Sequence, residues 1–222
     1  MHFLASLHLV LWEERPYLAT DPRRTDMSTT DAPDVEQAEE KKMAQAIIAG
    51  GCFWCTEAVM NDVIGVGLVE SGYIGGDDPD PTYKAVCSGT TGHAEGVRVT
   101  FDPSVLSYGD LLDVFLGTHD PTQLNRQGHD VGTQYRSAIF PVDDAQAAEA
   151  QAAIARWNAE NSGNAVTTIE GREGGARSIW HTAEGYHQEY WEGDGQRNPY
   201  CLATIPPKLE KLRKSFAQRV KS

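Results

Sequence analysis

Residues 49–57 read Ala49-Gly50-Gly51-Cys52-Phe53-Trp54-Cys55-Thr56-Glu57. The apolar run that enters this stretch predicts a strand, two glycines allow a tight turn, and a helix-like segment over residues 53–61 follows. Cys52 therefore lies where a strand turns into a helix, and the unpaired N–H groups and positive dipole of a helix start stabilise a thiolate. Because thiolate character sets the nucleophilicity of cysteine, we predict a reactive sulfur at Cys52; the alternative is an ordinary buried cysteine.

Composition limits the class of protein. With 222 residues, the chain is long enough for one substantial core and a tail. Its formal net charge of -13 argues against nucleic acid as a partner, because no basic stripe could offset that field. Its four cysteines are too few for a disulfide scaffold, so they raise the question of redox or metal chemistry instead. The sequence has no glycine-rich phosphate loop, and nucleotide binding therefore has no support.

Residues 1–43 are predicted to be a disordered tail. Residues 1–10 are apolar, but no Lys or Arg precedes them and the run is too short to span a membrane. Residues 20–42 are rich in Asp, Glu, Thr and Pro, a composition that cannot offset the entropy of ordering. Because Met27 and Met43 lie close before the first strand, we expect residues 1–26 to be a misplaced start or a dispensable tail. We expect a cytoplasmic monomer with no membrane association.

Alternating strand and helix signals predict an α+β fold with helices packed on a mixed sheet. Strands are predicted over residues 45–49, 66–73, 95–101, 134–140 and 166–169, and helices over residues 53–63, 83–87, 108–117, 143–161 and 206–221. The segment 193–199 is predicted to be a loop, which places Cys201 on a flexible stretch of chain. The last helix has a basic side that we interpret as a solvated surface: Lys208, Lys211, Arg213, Lys214, Arg219 and Lys221.

Side chains from several places in the sequence could form one site around Cys52. Phe53 and Trp54 would line an apolar pocket that fits a small group such as a methyl, unless both are simply core. Glu95 opens a strand, and a carboxyl in a dry aromatic pocket has its pKa raised, so that it can donate a proton. Three further side chains, each with core packing as its alternative, could add donors or a base: Tyr83, Tyr135 and His187.

Five short motifs together resemble the successive signatures of the A-type peptide methionine sulfoxide reductases. They occur in the order of that family between residues 44 and 201 and are jointly very specific, whereas the first alone would only be suggestive. The motifs are Gly51-Cys52-Phe53-Trp54, Gly72-Tyr73-x-Gly75-Gly76, Gly92-His93-Ala94-Glu95, Asp130-x-Gly132-x-Gln134-Tyr135-Arg136-Ser137 and Ala183-Glu184-x-x-His187-Gln188.

The resemblance implies a fold, a reaction and a set of roles. The fold is a ferredoxin-like split α/β plait formed by residues 44–222, with an irregular C-terminal extension that ends in a helix. The reaction is reduction of the S epimer of methionine sulfoxide, in proteins and as the free amino acid, through a cysteine sulfenic acid and an intramolecular disulfide that thioredoxin reduces. No metal, flavin or nicotinamide is expected to bind. The implied roles are Cys52 as catalytic cysteine, Phe53 and Trp54 as methyl pocket, Glu95 as acid, and Tyr83, Asp130 and Tyr135 around the substrate.

The sequence departs from the commonest pattern of that family at two places. Cys55 replaces the usual glycine of the first motif, and Arg197-Asn198-Pro199-Tyr200-Cys201 differs from the glycine-rich tail with two resolving cysteines. Cys55 lies one helical turn from Cys52, and Cys201 could reach across, with a relay between the two as a further option. Both therefore stay candidates for the resolving thiol, and Cys87 is the weakest candidate.

Three other interpretations compete with this one. A thioredoxin-like disulfide oxidoreductase would use Cys52 and Cys55 but needs a cis-proline loop with no convincing counterpart here. A zinc-binding or interaction module would use the cysteines with His93 and His187. A thiol hydrolase would pair Cys52 with His187.

Overall fold

The computed structural model describes residues 42–171 and 174–221. The prediction of a disordered tail and an alternative start therefore lies outside the described residues, apart from Lys42 and Met43, which precede the first strand. Within the described ranges, no helix combines the length and apolar character needed to cross a bilayer.

Strands and helices alternate along the described chain. The strands are β1 (Ala44–Gly50), β2 (Val66–Ile74), β3 (Ala94–Phe101), β4 (Arg126–Gln127), β5 (Asp130–Val131), β6 (Ser137–Ile139), β7 (Thr168–Ile169) and β8 (His181–Thr182). The helices are α1 (Phe53–Asn61), α2 (Tyr83–Cys87), α3 (Tyr108–Thr118), α4 (Asp144–Glu160) and α5 (Pro199–Ser215).

Six of the strands form one mixed sheet in the order β7-β6-β1-β3-β2-β8. The central strands β6, β1, β3 and β2 are antiparallel neighbours, and only the β6–β7 pair is parallel. α1 connects β1 to β2 and α3 follows β3, which is the ferredoxin-like split α/β arrangement. The predicted α+β class and the mixed sheet are confirmed.

The sheet is buried on both faces. Ala46 and Ile48 of β1 belong to the main core, which the helices cover, while Ile47 and Ala49 belong to a smaller cluster on the opposite side with Trp180 packed against it. This explains why β1 is a continuous apolar run and shows no alternation of apolar and polar residues. At its end, Gly51 has a φ of 95°, and a Cβ there would lie 2.6 Å from the Cβ of Gln127. Only glycine fits this turn, which delivers Cys52 to the start of α1.

Two predicted elements begin three or more residues away from their predicted starts. The strand expected from residue 134 begins only at Ser137, because Thr133–Tyr135 form a 3₁₀ turn in which the Tyr135 N–H donates to the Gly132 carbonyl at 3.0 Å. The last helix begins at Pro199 and not at residue 206. Asn198 caps it by accepting a hydrogen bond from the Tyr200 N–H at 2.9 Å, and proline is well suited to the first helical position.

The earlier start of α5 changes the surroundings of Cys201. The prediction of a flexible segment is wrong, since Cys201 lies in the first turn of the helix with 0% of its surface exposed. Two further elements were not predicted: the small hairpin β4–β5 inside the polar segment 120–133, and β8 on the edge of the sheet.

Candidate active site

Cys52 occupies the N-cap position of α1, as the sequence predicted. Its carbonyl accepts the first helical hydrogen bonds, from the Cys55 N–H at 3.1 Å and the Thr56 N–H at 3.3 Å. One of the N–H groups at this helix start, that of Phe53, donates to Oε2 of Glu95 at 3.1 Å. Burial raises the pKa of Cys52 well above the ordinary value of a thiol. The prediction of a thiolate at Cys52 is therefore wrong for the resting protein, because desolvation outweighs the helix terminus.

Cys55 lies one turn further along α1, with its sulfur against that of Cys52. A hydrogen bond with the Cys52 thiol, helped by the Lys208 ammonium group and opposed by burial, lowers the pKa of Cys55 to about 7. The Cys55 sulfur also lies 3.5 Å from Oγ1 of Thr204. Of the two thiols, Cys55 is the one that ionises first, while Cys52 keeps the shared proton.

Glu95 is the second residue of β3 and is only 2% exposed. Burial raises the pKa of its carboxyl to about 8, against the opposing effect of the Phe53 N–H. Nearby negative charge on Asp130 and Cys55 acts in the same direction as burial. This direction agrees with the sequence-based prediction of a carboxyl that stays protonated at neutral pH, and the role of Glu95 as a proton donor stays a prediction.

An aromatic cluster surrounds the start of α1. The Phe53 ring lies 6.0 Å from that of Trp54 and 6.2 Å from that of Tyr83, measured between centroids. Tyr190 stacks on Trp54 at 4.0 Å with an interplanar angle of 17°. The structure thus brings the predicted residues Phe53, Trp54 and Tyr83 together, and it adds Tyr190, which the sequence analysis missed.

His187 supports this cluster. Its Nδ1 accepts a hydrogen bond from Nε1 of Trp54 at 3.1 Å, and its ring lies 4.3 Å from that of Tyr83. Burial lowers the pKa of His187, which keeps the ring neutral and able to accept this bond. Its ring contacts Trp54 and other aromatic rings, and its Nε2 lies 3.9 Å from Oε2 of Glu184, so His187 supports the aromatic cluster.

Replacing His187 with phenylalanine is expected to lower the free energy of unfolding by about 1 to 3 kcal/mol, because the Trp54 N–H loses its acceptor in a buried site. His187→Gln, whose amide oxygen can accept the same bond, should recover part of this loss. Denaturation in urea measures both variants. Equal midpoints for the wild type and His187→Phe would show that the Trp54 contact contributes nothing to stability.

Tyr83 and Tyr135 extend the site on the side of Glu95. Burial and the neighbouring Glu95 charge raise the pKa of both phenols, which therefore remain protonated donors at neutral pH. Both hydroxyls hydrogen-bond with the Cys87 thiol, whose pKa burial raises. Asp130 lies beyond them, where its Oδ2 accepts a hydrogen bond from the Tyr200 hydroxyl at 2.5 Å.

Cys52 and Cys55 line a cavity of about 150 Å³ between the start of α1, the β4–β5 hairpin and α5. The other lining residues are Gln127, Gly128, His129, Asp130, Tyr200, Ala203, Thr204, Pro207 and Lys208. Lys208 was interpreted as part of a solvated basic surface, and this is wrong for that residue. A helix that starts at Pro199 puts residues 201, 204 and 208 on one face, so the correct helix start would have revealed it.

The two remaining thiols differ in their relation to the pair. Cys201 lies near Cys55, and burial raises its pKa to about 11, with the charge of Cys55 adding to the effect. Cys87 is only partly buried and contacts the two phenols. Neither forms a disulfide in this structure.

The histidines of the zinc-module interpretation are engaged in hydrogen bonds with the protein. Nδ1 of His93 accepts a hydrogen bond from the Gly76 N–H at 3.2 Å, and His187 is bound to Trp54. In the part of the chain that the structure describes, no group of three or more His, Cys, Asp or Glu side chains is arranged to hold a metal ion.

Comparisons with known proteins agree on one family. The profile of the family described as "Peptide methionine sulfoxide reductase" matches residues 44–220. The peptide methionine sulfoxide reductase MsrA of Erwinia tasmaniensis is 64% identical over 172 residues, which cover 78% of this chain and 94% of that protein. The protein of the same name from Deinococcus radiodurans is 53% identical over 179 residues, covering 80% of this chain and 84% of that protein.

Solved structures of the same kind share the fold. The reduced form of Mxr1 from Saccharomyces cerevisiae has a TM-score of 0.62 and 32% identity, covering 71% of this chain and 89% of the other. Methionine sulfoxide reductase A of Corynebacterium diphtheriae has a TM-score of 0.59 and 31% identity, covering 71% of this chain and 76% of the other.

Proposed function

We propose a reaction for this site on one established premise: the chain belongs to the peptide methionine sulfoxide reductase family. It is an oxidoreductase that reduces methionine sulfoxide. The finer proposal is that it reduces the S epimer, in proteins and as the free amino acid, with Cys52 as nucleophile and Glu95 as acid. Thioredoxin, or another dithiol, then restores the thiols.

One observation carries this proposal: a carboxyl that stays protonated at neutral pH sits beside the nucleophilic thiol. Glu95 accepts a hydrogen bond from the Phe53 N–H at 3.1 Å, next in the chain to Cys52, and burial raises its pKa to about 8. A sulfoxide oxygen leaves sulfur only after it accepts a proton or strong hydrogen bonds. Glu95 supplies the proton, and the phenols of Tyr83 and Tyr135 supply further donors to the same oxygen.

The aromatic cluster around the start of α1 forms the apolar side of the proposed substrate site, opposite the hydrogen-bond donors. We assign the methyl group of the substrate to Phe53 and Trp54, of which Trp54 is partly exposed and Phe53, at 1% exposure, packs beside it. His187 and Tyr190 hold Trp54 in place. A methyl group against the rings and an oxygen near Glu95 together fix the orientation of the sulfur. Only one epimer can meet both requirements with its sulfur facing Cys52.

The oxygen transfer balances within the site. The Cys52 sulfur attacks the sulfur of the substrate sulfoxide. As it does so, the Cys52 proton passes to the Cys55 sulfur, because the two thiols share a hydrogen bond. Glu95 protonates the sulfoxide oxygen, which ends on Cys52 as a sulfenic acid, while the substrate sulfur gains two electrons and leaves as methionine. Condensation of the sulfenic acid with Cys55 or Cys201 releases water and gives the disulfide that a dithiol reduces.

A single-turnover experiment tests this proposal. The reduced protein is incubated without reductant with each sulfur epimer of N-acetylmethionine sulfoxide, and methionine product and free thiols are counted. We expect one product molecule per chain with the S epimer, the loss of two thiols, and no product with the R epimer. Product from both epimers, or product without loss of thiols, would contradict the proposal. Adding thioredoxin and its reductase should then give repeated turnovers.

Cys87→Ser is expected to leave thioredoxin-dependent turnover nearly unchanged. Cys87 contacts Tyr83 and Tyr135 and not the Cys52–Cys55 pair, and a serine hydroxyl can keep the bonds to both phenols. Steady-state rates with the S epimer measure the effect. If recycling is lost while the single turnover is preserved, Cys87 is part of the disulfide path and the ranking of the resolving thiols must be reversed.

A further inference from the structure

We propose that Lys208 is a positioning residue for the resolving step: its ammonium group holds negative charge on the Cys55 sulfur, so that Cys55 attacks the Cys52 sulfenic acid before Cys201 does. This inference rests on the proposed function, because it concerns the step that follows sulfenic acid formation. It assigns a role to a residue outside the motifs through which the sequence resembles its family.

The position of the two sulfurs makes Cys55 the nearest partner of Cys52. Cys52 is the N-cap residue of α1, and Cys55 is the third residue of that helix. Their thiols share a hydrogen bond, so the sulfur that must be attacked and the attacking sulfur are already in contact. Cys201 has no such bond to Cys52 and is 0% exposed within the core.

α5 presents a polar face to this pair. Thr204 places its hydroxyl oxygen 3.5 Å from the Cys55 sulfur, and Lys208, one turn later, lines the same cavity as Cys52 and Cys55. Lys208 also lines a second, very small cavity that includes Cys55 and His119. It is therefore on the side of α5 that faces the thiols, and its side chain is partly buried there.

The charge of Lys208 is available to the thiolate. Arg213 and Lys214, from the same helix, form salt bridges with Asp62 and Glu210. Among the described residues, no carboxylate forms a salt bridge with Lys208. Burial lowers the pKa of Lys208, and negative charge on Cys55 acts in the opposite direction. An ammonium group that is partly removed from water gains most from a thiolate beside it.

The step balances in atoms and electrons. Cys55 first releases to solvent the proton that it took from Cys52 during oxygen transfer, which leaves its sulfur as a thiolate. This sulfur forms a bond to the Cys52 sulfur, the S–O bond of the sulfenic acid breaks, and the oxygen leaves as water with its own proton and one from solvent, so that no net proton is gained or lost. The Cys52 sulfur is reduced and the Cys55 sulfur is oxidised by the same amount.

Other charged and titratable groups also face Cys55, from every element packed around it. They are Cys52 from α1, Glu95 from β3, His119 at the end of α3, His129 and Asp130 from the β4–β5 hairpin, and Tyr200, Cys201 and Lys208 from α5. Lys208 is the cation of this set, whereas Asp130, and Glu95 once it has given its proton to the sulfoxide oxygen, oppose a thiolate. Removing Lys208 therefore leaves Cys55 with opposing charges only, apart from its hydrogen bonds.

Rapid mixing of the reduced protein with the S epimer of N-acetylmethionine sulfoxide tests the proposal. Samples quenched with dimedone report the sulfenic acid, and peptide mapping by mass spectrometry reports which cysteines form the disulfide. At pH 7, Lys208→Gln should slow disulfide formation about fivefold, because a Cys55 pKa of about 8 in place of about 7 lowers the ionised fraction of this thiol from about a half to about a tenth. The defect should disappear near pH 9.5, and Lys208→Arg should restore the wild-type rate at pH 7.

Lys211→Gln is the matched control, since it removes the same charge one turn further along α5 from an exposed side chain that does not line this cavity. In Lys211→Gln, the disulfide should form at the wild-type rate. An equal slowing in both variants, a defect in Lys208→Gln that does not depend on pH, or a first disulfide between Cys52 and Cys201 would overturn the inference.

The two proposals fail in different ways. If no methionine forms in the single turnover, the proposed function is wrong. One equivalent of methionine and a sulfenic acid on Cys52 would support the proposed function. If the disulfide then forms in Lys208→Gln at the wild-type rate, only the role of Lys208 is wrong. The methionine yield is measured on the same sample, so a variant that fails to fold is recognised because it forms neither methionine nor the disulfide. In that case Lys208→Arg is compared with the wild type instead.

Discussion

Replacing Cys52 with serine is expected to abolish methionine sulfoxide reduction, with a loss on the order of 10⁴-fold or more in the single-turnover rate. A serine hydroxyl at the N-cap of α1 can make the same backbone contacts, but it cannot accept oxygen from a sulfoxide and return it by condensation with a thiol. The fold should be unaffected, since serine is also a good N-cap residue. Chromatographic measurement of methionine product, with circular dichroism as a check on folding, gives the result.

Cys55→Ser is the matched control for this prediction. It removes the sulfur that accepts the Cys52 proton but leaves Cys52 able to take the oxygen, so one methionine per chain should still form, more slowly than in the wild type, with a sulfenic acid on Cys52 that lasts until Cys201 reacts with it. If Cys52→Ser still yielded one methionine per chain, another thiol would be the nucleophile, and Cys55, whose pKa is about 7, would be the first candidate.

The Cys52–Cys55 pair shows where reasoning from sequence reaches its limit. The position of Cys52 at a strand-to-helix turn is a local property, and the glycines and the apolar run were enough to predict it. The protonation state is not local, because it depends on how much of the sulfur the rest of the chain covers. Burial by distant elements raises the pKa of Cys52, and a lysine 153 positions away in the sequence helps to lower that of Cys55.

The bounds of the elements follow the same division. α2 was predicted at its observed bounds, and α4 within one residue at each end, because helix caps and the periodicity of apolar residues are properties of the local sequence. α5 was placed seven residues too late, because Pro206 was taken as its first residue. Pro199, with Asn198 before it, is the real start, and Pro206 and Pro207 lie inside the helix. Because the start of α5 was predicted too late, the sequence analysis could not place Cys201, Thr204 and Lys208 on one face of this helix.

The site residues divide in a similar way. Glu95 could be assigned a raised pKa from its place at the start of a strand among aromatic residues, and the structure agrees. Tyr190 could not be assigned to Trp54, because the segment that carries it is irregular. Glu189 has a φ of 51°, and its N–H and that of Tyr190 both donate to the buried carboxylate of Glu57 in α1, at 3.1 and 3.2 Å. Such a contact joins positions more than 130 residues apart and leaves no local periodic signal.

Glu95→Gln is expected to lower the rate of methionine formation about 10²- to 10⁴-fold, which is the range that a positioned general acid contributes. Glutamine keeps the shape of the side chain and can still accept the bond from the Phe53 N–H, so the loss would come from the missing proton. In the wild type, the rate should rise as the pH passes through about 7, where Cys55 ionises and can accept the Cys52 proton, and fall as the pH rises through about 8, where the carboxyl of Glu95 ionises. In Glu95→Gln, that fall should be absent. Single-turnover rates between pH 6 and pH 10 give both profiles, and Glu70→Gln, outside the site on the neighbouring strand β2, serves as the control.

Stability separates a catalytic loss at Glu95 from a structural one. The pKa of Glu95 is higher in the folded protein, at about 8, than the ordinary value of 4.5 that it takes in the unfolded chain. The folded state therefore binds a proton that the unfolded state releases, and the contribution of Glu95 to stability is lost as the pH rises between those two values. Glutamine is neutral at every pH, so Glu95→Gln should be at least as stable as the wild type at pH 8 while being far less active. An inactive variant with a much lower unfolding midpoint would indicate that Glu95 acts by holding the start of α1, and a variant that kept the wild-type pH profile would remove Glu95 from the role of acid.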